Sequence, residues 1–318
     1  MRDTLLTLLR GMAMGAADVV PGVSGGTIAF ITGIYPKLLQ SLSRFDLQLV
    51  SIVRLQGIKA AWQYINGGFL LALFSGIGIS ILSLARFISY MMEHQPLLLW
   101  SFFFGLILAS SLFIARQITR WSAANIILAF TGIVVAIVIS QLRPVEVQAC
   151  MGFIFIAGAI AITAMILPGI SGSFILLLLG VYGQVLGAVK TFDLTLLLYF
   201  MSGCIIGLLS FVKLLNWLLD RFYQPVLSVL MGFVTGSLVM VWPWKQVVST
   251  YTSSSGSEKP LVQQLVTPFE YELATGQSSQ LVGCIALIVV AVVFVVVLEK
   301  LGDQYNESDE QSTDSQVG

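Results

Sequence analysis

Two short stretches combine residue types that bind anions, and both lie where such residues are scarce. Pro21-Gly22-Val23-Ser24-Gly25-Gly26-Thr27 and Pro168-Gly169-Ile170-Ser171-Gly172-Ser173 each interrupt an apolar run. Proline has no N–H and disfavours helix in the residue before it, so a helix entering either motif breaks at Pro21 or Pro168. Gly22 and Gly25 then permit a sharp turn or the close approach of another backbone, and Gly169 belongs to the second break. Ser24 and Ser171 suit the N-cap of a new half-helix. Gly25, Gly26 and Thr27, or Gly172 and Ser173, form its first turn. Such an N-terminus offers unpaired N–H groups and about half a positive charge. Hydroxyls and glycines beside it suit a phosphate. Within a bilayer, broken backbone is tolerated only when buried in protein or lining a wet cavity. The competing reading is that Pro-Gly and small residues merely kink and pack helices.

The charged residues are few. Arg86 and Lys213 each stand seven residues before an acid, Glu93 and Asp220, near the end of an apolar run. They read as a basic clamp for a phosphate at each mouth of a pathway, or as heads snorkelling to the interface. Arg10 and Asp18 flank the first break. Asp18 is a candidate to bind a coupling proton or cation, or to pair with Arg10; the matching position in the second half is Met165. Asp46 and Asp193 each open an apolar stretch, as helix N-caps do. His94 is the sole histidine and falls in a short turn, whereas the Gly-x-Ser-Gly pattern occurs twice. A serine hydrolase needs one Ser with a histidine base in reach, so this pattern argues against one, and against a phosphatase. Cys150, Cys204 and Cys284 lie in apolar runs, unlike disulfides or metal ligands. No enzyme activity, cofactor or metal is expected.

The elements around these residues belong to a membrane. The 318 residues are 57% hydrophobic and 10% charged, against about 25% charged in soluble domains, and mean hydropathy is +0.93. Apolar runs of spanning length fall at 67–92, 96–115, 122–141, 196–219, 224–243 and 280–300. They are continuous rather than alternating, which indicates helices and not a barrel. Net charge is zero, so nothing suggests nucleic acid as a partner. The N-terminal stretch resembles a signal peptide, but Arg10 interrupts it and a helix break follows, so it is read as retained. Residues 47–63 suit a helix lying in the interface. Residues 245–278 are polar and lie outside the bilayer, and 302–318 form an acidic tail expected to be disordered.

The chain repeats itself. Residues 21–47 match those 147 positions later at 11 of 27 places, including Pro21/Pro168, Ser24/Ser171, Gly33/Gly180, Tyr35/Tyr182 and Phe45-Asp46-Leu47 against Phe192-Asp193-Leu194. The next spans correspond at a shift of 127, pairing Ser75-Gly76 with Ser202-Gly203. Each half then holds one motif region, which returns the chain to the side it came from, and three crossings. Three crossings leave the second half starting on the opposite face, so the repeats are inverted. Ser24 to Tyr35 spans only ~18 Å as helix against a ~30 Å core, which points to a re-entrant hairpin. The expected fold is an all-α integral membrane protein of two inverted repeats, 1–145 and 146–301, each a re-entrant or broken helix hairpin plus three transmembrane helices. The tail follows at 302–318. Inverted repeats with broken helices are a design of secondary transporters. Lys and Arg weigh towards one face, placing both termini in the cytoplasm.

The stretch from Met14 to Tyr35, with Pro168-Gly169-Ile170-Ser171-Gly172-Ser173, resembles the bacterial polyprenyl-phosphate transporters, the PopT-type undecaprenyl-phosphate translocases long catalogued as a domain of unknown function. The resemblance covers about residues 8–300. It implies a flippase in the bacterial inner membrane that returns the phosphorylated lipid carrier of envelope and peptidoglycan synthesis to the cytoplasmic leaflet. The phosphate head would pass the half-helix N-termini and Arg86 or Lys213 while the prenyl tail stays in lipid. The other readings are a secondary transporter of a small soluble anion, or a channel.

Overall fold

The computed structural model describes residues 2–19, 23–142, 147, 149–252 and 258–314. Pro21 and Gly22, expected to break the first helix, lie outside the described residues. The first half comprises α1 (Arg2–Val19), α2 (Gly25–Ile31), α3 (Tyr35–Ser43), α4 (Leu47–Gln56), α5 (Ile58–Tyr64), α6 (Gly67–His94), α7 (Pro96–Gln117) and α8 (Ala123–Gln141). The second comprises α9 (Met151–Ile166), α10 (Gly172–Leu178), α11 (Tyr182–Thr191), α12 (Leu194–Arg221), α13 (Tyr223–Ser237), β1 (Lys245–Thr252), β2 (Glu258–Leu265), α14 (Pro268–Thr275) and α15 (Leu281–Asp314).

The internal repeat reappears as repeated local structure. Shifting α2 by 147 gives the bounds of α10, and shifting α6 by 127 gives those of α12. Both half-helices end in the same way. Ile34 N–H donates to Ala29 O at 3.0 Å and Gly33 N–H to Phe30 O at 3.1 Å; Val181 and Gly180 repeat these bonds to Leu176 and Leu177 at 3.1 and 3.0 Å. This is a Schellman cap, and it needs a left-handed residue, supplied by Gly33 and Gly180, each at φ +72°. The 20-residue difference between the two shifts (147 − 127) is the α4–α5 insertion, which the second half lacks. Asp46 caps α4 and Asp193 caps α12, as expected.

Packing follows the same pairing. α1 lies along α6 as α9 lies along α12, and α7 pairs with α15 as α13 pairs with α8. Glycines set the distance of approach. A Cβ on Gly76 would collide with Leu8 O of α1, and one on its counterpart Gly203 with Phe155 O of α9. The largest core cluster joins α1, α2, α3, α6, α7, α12, α13 and α15 around Tyr35, Leu39, Leu73, Ile107 and Leu227.

The all-α expectation holds for this frame and needs one correction outside it. β1 and β2 form an antiparallel hairpin, pairing Lys245 with Leu265 through to Thr252 with Glu258. Residues 245–252 are rich in β-branched and aromatic side chains without helical periodicity. The expectation of six spanning helices is also reduced. Among the described residues, four helices are long and apolar enough, or five if the pair α10–α11, bent by 109°, counts as one span. α13 stops at Ser237 because a turn and Pro243 follow, while α15 opens on an unbroken apolar stretch from Leu281. α15 itself continues to Asp314, through residues whose composition predicts disorder. Extension from an existing helix avoids the nucleation cost that disfavours helix in an isolated polar segment. The expected interfacial helix is two, α4 and α5, hinged at Gly57 with φ +87°. Leu47, Leu55, Ile58 and Trp62 are exposed there, as a membrane surface would require.

At the end where α6 gives way to α7, Trp242 and Trp244 stack edge-on and Gln280 donates to Gln95. Lys245 lies with Nζ 4.4 Å from the Trp100 ring centroid and donates to Met240 O. Burial pushes its pKa down to about 8.

Two outcomes follow. Gly76→Ala or Gly203→Ala should destabilise the protein by about 1–3 kcal/mol through overpacking, while Gly78→Ala, which meets nothing within 4 Å, should be neutral or slightly stabilising. Thermal unfolding in detergent reads the difference. Because the unfolded chain holds the Lys245 proton up to about pH 10.4 and the folded one releases it near 8, stability should rise with pH across that window. Lys245→Met should flatten that slope in the same measurement at stepped pH.

Candidate functional site

The two motifs, far apart in sequence, meet. α9 ends at Ile166 with its last carbonyls unpaired, and the first motif supplies their donors. Ser24 Oγ–H is shared between Met165 O at 3.3 Å and Leu167 O at 3.5 Å. Tyr35 Oη–H donates to Ile166 O at 3.1 Å. In return Gly169 N–H donates to Thr27 Oγ1 at 2.9 Å. Gly26 is glycine because a Cβ there would stand 2.8 Å from Ile166 O. The positive end of α2 therefore abuts the negative end of α9, which favours the crossing electrostatically. Gly169, at φ +86°, lies where a Cβ would meet Phe233 O of α13 at 2.7 Å.

The first turn of α2 is internally satisfied. Gly25 N–H donates to Asp18 Oδ1 at 2.7 Å, Gly26 N–H to Ser24 Oγ at 3.2 Å, and Thr27 N–H to Ser24 O at 3.0 Å. Ser24 and Thr27 are 2% and 1% exposed, so no water competes. Asp18 thus holds the place at this N-terminus that an external anion would take. Its partner is Gly25 rather than Arg10, which lies eight residues back along α1, ~12 Å away. The second motif is less occupied. Ser171 makes no cap bond to its helix; its hydroxyl pairs with Ser173 Oγ at 3.0 Å. Pro168, Gly172 and Ser171 are buried, and Ser173 is exposed. A Cβ on Gly172 would meet Ala161 O at 2.6 Å.

Arg86 and Lys213 are exposed on α6 and α12 and line neither of the two cavities beside the motifs. Two cavities flank the motif crossing instead. The larger, about 710 Å³, is lined by Tyr35, Lys37 and Gln40 of α3 and by Arg44, which caps that helix, by Asn66 and Gln117, and by Asn216, Asp220 and Tyr223. The smaller, about 170 Å³, is nearly all apolar, lined by Leu38, Leu39 and Leu42 of α3 with Phe74, Met165 and Leu208, and reached by Asp18 and Gly26. Lys37, Gln40 and Arg44 are not among the residues that the sequence motifs single out. Their i, i+3, i+7 spacing was the available signal.

Fold and site together define an α-helical membrane protein in which a duplicated sequence motif meets its own copy at helix ends. The chain belongs to the VCA0040-like family, undecaprenyl phosphate translocase-like, whose model matches residues 14–259. It is similar to the polyprenyl-phosphate transporter of Vibrio cholerae serotype O1, 49% identical over 300 residues, covering 94% of this chain and 97% of that protein. It is also similar to the polyprenyl-phosphate transporter of Staphylococcus aureus, 32% identical over 256 residues, 75% of this chain and 86% of that protein. No solved structure matches.

The crossing is expected to be sensitive to single hydroxyls. Thr27→Val leaves the buried Gly169 N–H unpaired and should cost about 1–3 kcal/mol. Tyr35→Phe should cost less, since a carbonyl tolerates loss of one partner better than an N–H does. Denaturation of the two variants in detergent, side by side, checks the order.

Proposed function

We propose that this protein is a flippase for polyprenyl phosphate in the bacterial inner membrane, returning the lipid carrier to the cytoplasmic leaflet for envelope synthesis. The observation that carries the reading is the meeting of two broken motifs through Ser24, Thr27 and Tyr35 on one side and Met165–Gly169 on the other. Family membership and the names of both relatives support it. A phosphate monoester needs a polar route through the bilayer, while its tail can remain in lipid. Broken helices held together by exchangeable hydrogen bonds can supply that route.

The proposed arrangement is two inverted repeats with both termini cytoplasmic. Support comes from the direction of matched helices relative to the larger cavity. Asn66, at the start of α6, lines it, whereas Asn216 and Asp220, near the end of α12, do so. Gln117 lines it from the end of α7 and Tyr223 from the start of α13. Corresponding helices thus meet one cavity with opposite ends. The short α2 and α10, ~10 Å each, support re-entrant hairpins. Lys37, Arg44, Arg116 and Arg221 all belong to the end that holds this cavity, which supports a cytoplasmic assignment.

In this scheme the phosphate passes Ser24, Gly25, Gly26 and Thr27 by exchanging with contacts they now make to α9 and Asp18, and passes Ser171, Gly172 and Ser173 with less to displace. Arg86 lies twenty residues along α6 from Asn66, ~30 Å, while Lys213 is one turn from Asn216. The pair would therefore serve opposite mouths. Asp18 would take a proton or cation when a phosphate displaces it from Gly25.

The test is purified protein in liposomes with short-chain fluorescent polyprenyl phosphate in one leaflet, followed by a membrane-impermeant quencher. Wild type should exchange the lipid, and Ser24→Ala/Ser171→Ala protein of intact fold should lose most of that rate. No exchange by wild type under either a proton or a sodium gradient, with phosphate uptake into the same liposomes, would replace this reading with a soluble-anion transporter.

A further inference from the structure

The helix α3 separates a cavity of mixed polar and apolar wall from one that is nearly all apolar. Lys37, Gln40 and Arg44 follow one another at i, i+3 and i+7, so they share one face of the helical path, and they line the polar cavity. Leu38, Leu39 and Leu42 occupy the intervening positions, fall on the other face, and line the apolar one. Tyr35, the first residue of α3, belongs to both walls.

On the polar side the groups are positioned for an anion. Arg44 is half-buried and spends one N–H, from Nη1, on Tyr64 O at 2.7 Å, with its guanidinium 5.5 Å from the Tyr64 ring. Among the described residues, its other four N–H donors have no partner. Lys37 Nζ lies 5.1 Å from the Phe69 ring centroid, which holds the ammonium beside the cavity. Asn66 and Asn216 are fixed by donating to Ser41 and Ser43 of α3 at 3.1 and 3.0 Å. One acid, Asp220, shares the wall. On the apolar side, Phe74 and Met165 are 52% and 41% exposed, so the slot opens sideways from the helix bundle.

We infer that α3 divides a two-part site for an isoprenoid phosphate: the phosphate is held by Lys37 and Arg44 in the polar cavity, and the first prenyl units lie along Leu38 and Leu42 in the slot. The chain bends around Tyr35. An amphiphile with one charged end needs this juxtaposition, a basic pocket within one helix diameter of an apolar slot open to lipid. A free phosphate would use only the first part. Asp220 opposes the phosphate and weakens its hold, as release on this side of the membrane requires. The inference rests on the lipid-phosphate reading above and adds the residues that read head and tail.

Equilibrium binding tests it apart from transport. Full-length protein in detergent is titrated calorimetrically with farnesyl phosphate, farnesol and inorganic phosphate. Farnesyl phosphate should bind most tightly. Lys37→Gln should weaken it about tenfold and Lys37→Gln/Arg44→Gln about a hundredfold, as lost charge-assisted bonds imply. Lys37→Arg should restore binding, a rescue that a merely structural lesion would not show, and Lys37 is exposed enough for Lys37→Gln to fold. Asp220→Asn should tighten binding. Leu42→Ala should weaken farnesyl phosphate and leave inorganic phosphate unchanged. Unchanged farnesyl phosphate binding in the folded double variant overturns the site, whatever the liposomes show. Equal affinity for inorganic phosphate, insensitive to Leu42→Ala, overturns the tail slot. Failure of wild type to move lipid, with Lys37-dependent binding intact, would instead remove the transport reading and keep the site.

Discussion

A helix end buried away from water exposes N–H and carbonyl groups that need partners within the protein, and the two motifs of this chain answer that constraint with one another. The end of α9 lacks donors for its last carbonyls, and Ser24 and Tyr35 provide them. The second motif offers Gly169 N–H, and Thr27 accepts it. Neither break would be stable alone, because each unpaired buried group costs about 1–3 kcal/mol. The rest of the architecture serves to bring these ends together. Gly76 and Gly203 let α1 and α9 lie close against the long helices α6 and α12, and the Schellman caps at Gly33 and Gly180 turn each half-helix back after two turns.

The same crossing places chemistry at its edges. Hydroxyls that secure the join are buried and engaged, whereas the basic groups that line open space lie one helix away, on α3. Tyr35 belongs to both. It bonds the end of α9 and forms part of each cavity wall. A change in the crossing would therefore be felt in the cavity, and a ligand in the cavity would press on the crossing. Coupling of this kind needs no long pathway, only one side chain with contacts on both sides.

The halves are similar without being equal. Only the first half carries the α4–α5 insertion, whose exposed Leu47, Leu55, Ile58 and Trp62 suit the membrane surface, and only the first motif has an acid, Asp18, at its half-helix. The second half carries instead the polar hairpin β1–β2 and α14 between its second and third long helices. These additions lie at opposite ends of the helices, so the two faces of the protein differ although the frame between them repeats.

Much of the fold was legible from residue order. Pro-Gly followed by Ser predicts a helix break, a local effect, though only Ser24 of the two serines caps its helix, and duplication at shifts of 147 and 127 reproduces the helix bounds seen in both halves. Hydropathy sets most of the long helices for the same reason. Partner choice was not legible. That Ser24 would bond α9, that Gly25 would meet Asp18 in place of Arg10, and that Lys37 and Arg44 would face Asn216 across a cavity are decided by which surfaces pack. Residues well over a hundred positions apart become neighbours only when the glycine-lined helix pairs close. A sequence states what each backbone group lacks; the tertiary structure decides which distant group supplies it.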